Sequence, residues 1–591
     1  MKQIVKFVII LLFVSFASWI VLLSYKPYLG IDDAYIYFVY AKNLAGSHGF
    51  VYNVGGERVE GFTSMLWVLI CSLTYRWFTE THFRQALMVL NIGMISFALF
   101  RLTDFIDRRF AGKTTAFPSI FSLCLLSILF VIKGYLDWVV LSLLETGLWS
   151  SCLILIVVHL LESCYSTPDR TKPFVFGLLL MILALTRPES LLLGVVFLIL
   201  RLLIYWQKKH SFFPALQTLL LPAIFFIVTF SGLVVFRLYY FGYPFPNTFY
   251  AKVSSNLNDN IKEGTLYLSK FLFVYPVYWL PVILILATFW IRFRLLFAGW
   301  RTFLTFRNDE LAQTCVALVC FIAFILPMGV GGDHFSLFRM YQPFAPIFLL
   351  SLFNRDFIRK SFFDTESKKP SGGALPRLAW VALLLPVFYL MNMPKYFVDS
   401  NYVPFKVSLL GDFSMAQSYR QVSMELDSFF PFYPKPSIGR IAAGGYAFGY
   451  DGSIVDLMGL NNTLMAHANG VKVGVKDHAS FDKATFYKLH PDFVEGEFVG
   501  ADGQFELPEN RPDFDKTNYQ SILFKGIFRD SVFMHLYQPV LIGHQGSKDV
   551  FFTYARTDYI DTLRGKSYLV TPLQRKEEHF SALISGPRKS D

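Results

Sequence analysis

Two adjacent carboxylates, Asp32 and Asp33, open a polar stretch at residues 30–64 that lies between two apolar segments. A Tyr/Phe-rich segment follows them, then a Gly-rich turn, then a second acidic cluster at Glu57 and Glu60, with Arg58 between these two and Thr63 just beyond. A carboxylate so placed can take a proton from an acceptor hydroxyl. One of the pair can equally cap the helix expected to begin at Ala34. Further polar groups recur between apolar runs: Lys133 and Asp137, Glu145-Thr146, Arg187-Pro188-Glu189, Asn247 and Lys252, and Asp333-His334 followed by Arg339. Lys and Arg in such a set suit the neutralisation of a phosphate. Arg187 and Glu189 also suit a self-contained ion pair in a tight turn. The chain has no Walker-type phosphate loop, no Gly-x-Ser-x-Gly elbow and no His-Glu-x-x-His. Nucleotide hydrolysis, serine hydrolysis and zinc peptidase chemistry therefore have no support. No motif asks for a metal or another cofactor, and none is expected.

The elements that must position these groups are set by composition. The 591 residues are 54% hydrophobic and only 16% charged, against about 25% charged in soluble domains. The mean hydropathy is +0.44. This describes an α-helical protein that spans a membrane many times. Eleven apolar runs are expected to span, at about 4–23, 85–100, 115–133, 139–161, 174–186, 189–206, 213–238, 272–291, 311–328, 341–353 and 378–393. Lys2 precedes the first and Lys6 lies near its start, and no small-residue cleavage site is evident before Tyr25, so it reads as an uncleaved helix. The six cysteines lie in or beside apolar runs, none after Cys320, with neither disulfide nor zinc spacing.

Residues 62–78 form a twelfth apolar run, and charge decides its place. If it lies in the outer interface, as Trp67, Tyr75 and Trp77 allow, the loops at 101–114, 162–173, 207–212, 292–310 and 354–377 face the cytoplasm. Those loops carry most of the Lys and Arg, and the opposite loops hold about half as many. A spanning 62–78 would invert that balance. The expectation is eleven spans, the N-terminus inside, and a first outer loop at about 24–84, with the aromatic helix 34–45 at the lipid surface. The formal charge of +11 then orients the chain in a membrane, and no nucleic-acid partner is expected. Residues 394–591 change in character, with Pro-rich and Gly-rich turns and no spanning run. They are expected to form a soluble α/β domain on the outer side, following a transmembrane domain at 1–393. A helix is expected at 412–430, and strands around SIGRIAAG, GSIVDLMG and SVFMHLYQPVLIGH. Asp456 and Asn461 flank a turn there, and Asp477-His478 reads as surface.

With this topology the unusual polar groups share one face with the soluble domain. An acidic pair after the first helix, in a long first outer loop, resembles the membrane-embedded glycosyltransferases of the GT-C architecture, which use polyprenyl-phosphate sugars. The finer series is similar to the mycobacterial terminal arabinofuranosyltransferase family. It runs through Asp32-Asp33-Ala-Tyr, Gly49-Phe-Val-Tyr-Asn53, Glu60-Gly-Phe-Thr-Ser, Leu-Glu145-Thr, Arg187-Pro-Glu, Pro246-Asn-Thr-Phe-Tyr-Ala-Lys252 and Gly-Gly-Asp333. The chain departs from that pattern at Phe62 and lacks an Asn-Pro after Thr63, which leaves the acceptor side open.

The resemblance implies metal-independent or weakly metal-linked inverting transfer of a sugar, D-arabinofuranose in that family, from a polyprenyl-phosphate donor to a hydroxyl of an envelope glycan, glycolipid or protein. It places the base in the first outer loop, as Asp32 with Asp33 orienting. Arg339, Lys252 and Arg58 are the donor-phosphate candidates. Glu60, Thr63, Glu145, Arg187, Glu189, Asn247, Asp333 and His334 are those for sugar or acceptor. Membrane lipid is the other expected partner, and the bacterial plasma membrane the expected location. A lipid-linked-sugar flippase and a diphosphate-dependent glycan polymerase or ligase are the alternatives. The flippase asks for broken helices and paired halves, and the polymerase for arginine-rich outer loops.

Overall fold

The computed structural model describes residues 1–24, 26, 28–78, 80–110, 116–166, 172–297, 305–353, 408–500, 507–511, 513–544 and 549–575. The run expected at 378–393, the basic loop at 354–377 and the boundary expected at 393/394 lie outside them. The chain forms two compact units. One comprises Met1–Ile31, Thr63–Pro244 and Asn256–Phe413; the other comprises Asp32–Phe62, Phe245–Ser255 and Ser414–Asp591. The acidic stretch and the 245–255 segment thus fold with the C-terminal domain, a grouping that a division along the chain at 394 does not contain.

Among the described residues of the first unit, seven helices are long and apolar enough to cross a membrane. They are α1 (Lys2–Ser24), α4 (Glu80–Phe110), α6 (Thr146–Tyr165), α8 (Ser190–Lys209), α10 (Leu220–Tyr240), α13 (Trp279–Phe297, extended to Pro276 by a 3-10 turn) and α14 (Asn308–Val330). Many carry exposed apolar faces, as at Ile224, Ile227 and Val228 of α10, which is the pattern of a lipid-facing helix. Two expected spans are shorter helices, α5 (Ile120–Val131) and α7 (Pro173–Thr186). At 1.5 Å per residue they reach only about 18–21 Å, against a hydrocarbon core of about 30 Å. The helix α3 (Met65–Trp77) is similarly short, starting from a Ser64 cap whose Oγ accepts from Trp67 N at 3.2 Å. Its Trp67 is buried and donates to Leu143 O at 3.0 Å, while Trp77 is 77% exposed; only the latter suits an interface.

Two expected spans are shifted: residues 213–217 fall in a separate short helix, α9 (Phe212–Gln217), and residues 272–274 end the helix before α13. Two others do not form as drawn. Residues 139–145 do not belong to α6: Asp137–Leu141 is a π-helical turn, and Leu143 has φ +56°. The run 341–353 breaks into short 3-10 and α turns, with Pro343 and Pro346 withholding the N–H groups that a continuous helix needs. Both segments are buried and their backbone finds partners, as where Gly30 N donates to Leu141 O at 3.0 Å. Irregular backbone at such a place is tolerated only with partners of this kind. The unit's helices approach closely. The helices α12 (Leu257–Val274) and α14 meet at Gly264, where a Cβ would lie 2.3 Å from Met328 Cα. One end of the unit is tied by buried ions: Lys6 donates to Asp107 at 2.6 Å and lies 3.7 Å from Asp104.

The second unit carries a six-stranded sheet in the order β2-β1-β3-β5-β4-β6. Its strands are β1 (Ile438–Arg440), β2 (Ile454–Asp456), β3 (Phe493–Gly500), β4 (Tyr537–Gly543), β5 (Asp549–Arg556) and β6 (Leu569–Pro572). The pairs β1–β2 and β1–β3 are parallel, and the rest are antiparallel. The expected helix is α15 (Leu409–Phe429). The expected strands appear, except that Ser531–Leu536 of the last stretch is helical. An aromatic core that includes Phe481, Phe486, Phe524, Phe528 and Phe533 fills this domain.

The helix α2 (Asp32–Ala45) belongs to this unit, with both acids in its first turn and Lys42 in its last, each favourable to the helix dipole. Residues Ala34 to Ala41 are all buried. Tyr35 and Phe38 pack on Phe448, with ring centroids 5.6 and 6.1 Å away. The expectation of a helix lying on lipid is therefore corrected: its aromatic residues are domain core.

Candidate active site

The first turn of α2 meets the start of α16 (Gly444–Gly449). Gly444 N donates to Asp32 Oδ2 at 3.0 Å and Gly445 N to Oδ1 at 2.8 Å, so each carboxylate oxygen takes one N–H and keeps a second lone-pair direction. A Cβ on Gly444 would lie 1.9 Å from the carbonyl oxygen of Asp32, so this approach requires glycine. Burial pushes the Asp32 carboxyl up to about 6; the two N–H groups oppose that rise, and the charges of Asp33 and Asp456 add to it. Asp32 thus caps a helix more than 400 residues away in sequence, and not the one expected to begin at Ala34, whose first turn contains both acids. Asp33 points elsewhere. Its Oδ2 lies 3.2 Å from Lys252 Nζ, which comes from the last turn of α11 (Asn247–Lys252).

The same unit fixes this arrangement from behind. Asn247 starts α11 and is buried; its N donates to Glu60 O at 2.9 Å, and its Nδ2 to Gly459 O at 2.7 Å. The Glu60 side chain is also buried. Tyr40 Oη reaches Val59 O at 2.8 Å and Asn461 Oδ1 at 3.2 Å, and accepts from Gly61 N at 3.1 Å. Asp456, at the end of β2, accepts from Met458 N, Gly459 N and Asn461 N at 2.9, 3.1 and 2.8 Å, and from Asn461 Nδ2 at 2.9 Å. Burial still holds its carboxyl up at about 6. Arg58 is exposed on the loop before Glu60. Asp477 and His478 are half-buried rather than surface, and Asp477 lies 3.9 Å from Lys476.

The first unit gathers the other expected residues. Glu145 precedes α6, Arg187 follows α7 and Glu189 precedes α8. Arg187 Nη1 donates to Glu145 at 2.5 Å, while its Nη2 and Nε donate to the two oxygens of Glu189 at 2.8 and 3.2 Å. Its guanidinium lies over Trp149, 4.9 Å from the ring centroid. The self-contained pair within Arg187-Pro188-Glu189 is therefore real but incomplete, since Glu145 joins it. Burial raises the Glu189 carboxyl, but Arg187 and, more weakly, Arg339 outweigh burial and hold it below the usual carboxylate range. Arg339 Nε donates to Asp333 Oδ2 at 2.6 Å and lies over Phe335 at 4.4 Å, and His334 Nδ1 is 3.5 Å from Asp333. The turn before Arg339 carries Leu337 and Phe338 at φ +59° and +54°, a left-handed conformation costly for such residues. Thr63 is half-buried at the start of its segment.

No family model matches the chain, and no curated protein matches it. Two solved structures from Archaeoglobus fulgidus are similar in shape. The oligosaccharyltransferase in the apo form gives a TM-score of 0.47 at 10% identity, over 94% of this chain and 74% of that one. The oligosaccharyltransferase AglB, in complex with an inhibitory peptide and a dolichol-phosphate, gives 0.48 at 10%, over 98% and 77%. Likeness at this level speaks to neither activity nor substrate.

Sequence reasoning did not find Gly444 and Gly445. The signal present was a Gly-Gly pair opening a short helix, which acquires meaning only from what approaches it.

Proposed function

We propose that the protein is a membrane glycosyltransferase that moves a sugar from a polyprenyl-phosphate donor to an acceptor hydroxyl. The observation that carries this reading is the geometry of the acidic pair: Asp32 is held by the Gly444 and Gly445 N–H groups, and the next residue, Asp33, is ion-paired to Lys252. Burial raises the Asp32 carboxyl to about 6, which suits a base near the working pH, and the lysine on the adjacent Asp33 suits a departing phosphate. In the proposed step the acceptor O–H gives its proton to Asp32 as its oxygen bonds to the anomeric carbon. The bond from that carbon to the phosphate oxygen breaks, and the electron pair leaves with the polyprenyl phosphate. Attack opposite the leaving group inverts the centre. Lys252 is assigned to the phosphate; Arg339 and Arg58 carry the same role from the sequence resemblance. Glu60, Thr63, Glu145, Arg187, Glu189, Asn247, Asp333 and His334 keep their proposed sugar or acceptor roles. D-Arabinofuranose, an envelope glycan, glycolipid or protein acceptor, and a bacterial plasma-membrane setting with the site outside belong to the same proposal.

The test is transfer by the purified protein from polyprenyl-monophosphate and polyprenyl-diphosphate sugars, with and without a chelator. Asp32→Asn should remove transfer while leaving expression intact, with a modest fall in thermal unfolding because its amide nitrogen would face one of the two glycine N–H groups. Full activity in that variant rejects the base. Lipid-linked sugar crossing vesicles without covalent product returns the flippase, and transfer from diphosphate donors alone returns the polymerase. Loss of activity on chelation decides for the metal-linked form of the step.

A further inference from the structure

The far end of α6 from Glu145 borders a groove that the proposed reaction leaves unused. It has a volume of about 900 Å³ and lies between the last turns of α4 and α6 and the start of α7. Its polar lip is cationic. Arg101 Nη2 lies 3.0 Å from both oxygens of Glu162, and Arg108 Nη2 donates to the same carboxylate at 2.5 Å, so two guanidiniums share one anion. Both remain about 40% exposed, and Lys172 lies exposed on the same rim. The walls are apolar, including Phe97, Phe100, Val158 and Val175. Phe97 and Val175 are themselves exposed on helix sides, so the groove continues onto faces suited to lipid.

A second observation lies behind the wall. Arg201 of α8 is fully buried, with Nη1 3.2 Å from Nε2 of the groove residue His159 and its guanidinium over Phe176 and Tyr205. Its Nε and Nη2 have no hydrogen-bond partner, and no carboxylate pairs with it among the described residues. Among the described residues, the groove and the ions that it contacts include six basic side chains: Lys6, Arg101, Arg108, Arg109, Lys172 and Arg201. Four carboxylates, those of Asp104, Asp107, Glu162 and Asp309, stand against them. Uncompensated cations among membrane helices are costly, and a nearby anion relieves the cost.

We propose that this groove binds an anionic glycerophospholipid, with its phosphate among Arg101, Arg108 and Lys172 and an acyl chain along Phe97, Phe100, Val158 and Val175. A soluble anion would leave the apolar walls unused, and a zwitterionic lipid would leave the charge surplus unanswered. Basic recesses between membrane helices recognise anionic headgroups by this combination.

The full chain, stripped of lipid in neutral detergent, would be titrated with phosphatidylglycerol and with phosphatidylcholine of the same chains, read by native mass spectrometry. Inorganic phosphate and polyprenyl monophosphate form the other arms. Phosphatidylglycerol should bind at least about fivefold tighter than phosphatidylcholine, roughly the effect of one interfacial cation. Lys172→Glu should weaken it by about as much. Val175→Trp, at an exposed position, should fill the wall and weaken it likewise, with lipid-free unfolding unchanged in both variants. Equal affinity for the two phospholipids overturns the proposal. So does tighter binding of either other ligand, or phosphatidylglycerol binding that both variants leave intact.

Discussion

Asp32 keeps one open lone-pair direction on each oxygen while two backbone N–H groups hold it in place. Its raised pKa has two consequences of opposite sign. As a base it must be ionised, so transfer should rise as pH increases and level off above an apparent pKa of about 6. A carboxyl that holds its proton more tightly when folded contributes stability below the ordinary carboxylate range and loses it as pH rises through about 6. Asp456 adds to the same loss. A pH–rate profile and thermal unfolding between pH 4 and 7.5 check both trends; Asp32→Asn should flatten part of the unfolding trend and remove transfer. At this scale the acids were legible in sequence because charge stands out in an apolar chain. Asp33 and Lys252, 219 positions apart, were both candidates, but nothing in their spacing tied one to the other. The environment of Asp32 was illegible: long-range burial lifts its carboxyl, and what holds it in place are backbone N–H groups that every residue but proline possesses.

Where α2 meets α16, contact is backbone to backbone, and its tolerance is small. Gly444→Ala must move the start of one helix or the other, since its Cβ would fall 1.9 Å from the Asp32 carbonyl oxygen. Overpacking of this kind costs about 1–3 kcal/mol. The variant should lower the unfolding temperature and reduce kcat for transfer, because the shift falls on the residue proposed as the base. Unchanged values for both would show that the contact is loose. Element reading from sequence succeeded where an apolar run was also a continuous helix, as in α8 and α14. It failed at 139–145 and 341–353 for one reason. Hydropathy reports the surroundings of a segment, and a broken segment buried in protein is as apolar as a helix in lipid. Pro343 and Pro346 were the available signal in the second case. The aromatic residues of α2 misled similarly, since Tyr and Phe suit a domain core as well as a membrane interface.

For the whole molecule, the proposed orientation puts the sheet domain and the loop before α14 on opposite sides of the membrane. Single cysteines at Lys566 and Arg307, both exposed positions, test it in intact cells. An impermeant maleimide should label Lys566→Cys directly, and Arg307→Cys only after permeabilisation; the reverse pattern inverts the topology. The class of molecule was legible from composition alone. The membership of the second unit was not, because Asp32–Phe62 and Phe245–Ser255 join Ser414–Asp591 through contacts that no local pattern announces.

That three-part membership has a consequence for biosynthesis. The ribosome makes α2 early and its partner Phe448 late. At about 5–20 residues per second, the interval between Phe62 and Ser414 is on the order of 20–70 s. Throughout that interval Tyr35, Phe38 and Tyr40 lack the packing that later buries them, while helix after helix is inserted. The domain is therefore completed after translation of nearly the whole chain, and a nascent protein stalled anywhere before β2 exposes an aromatic segment that chaperones and proteases can recognise.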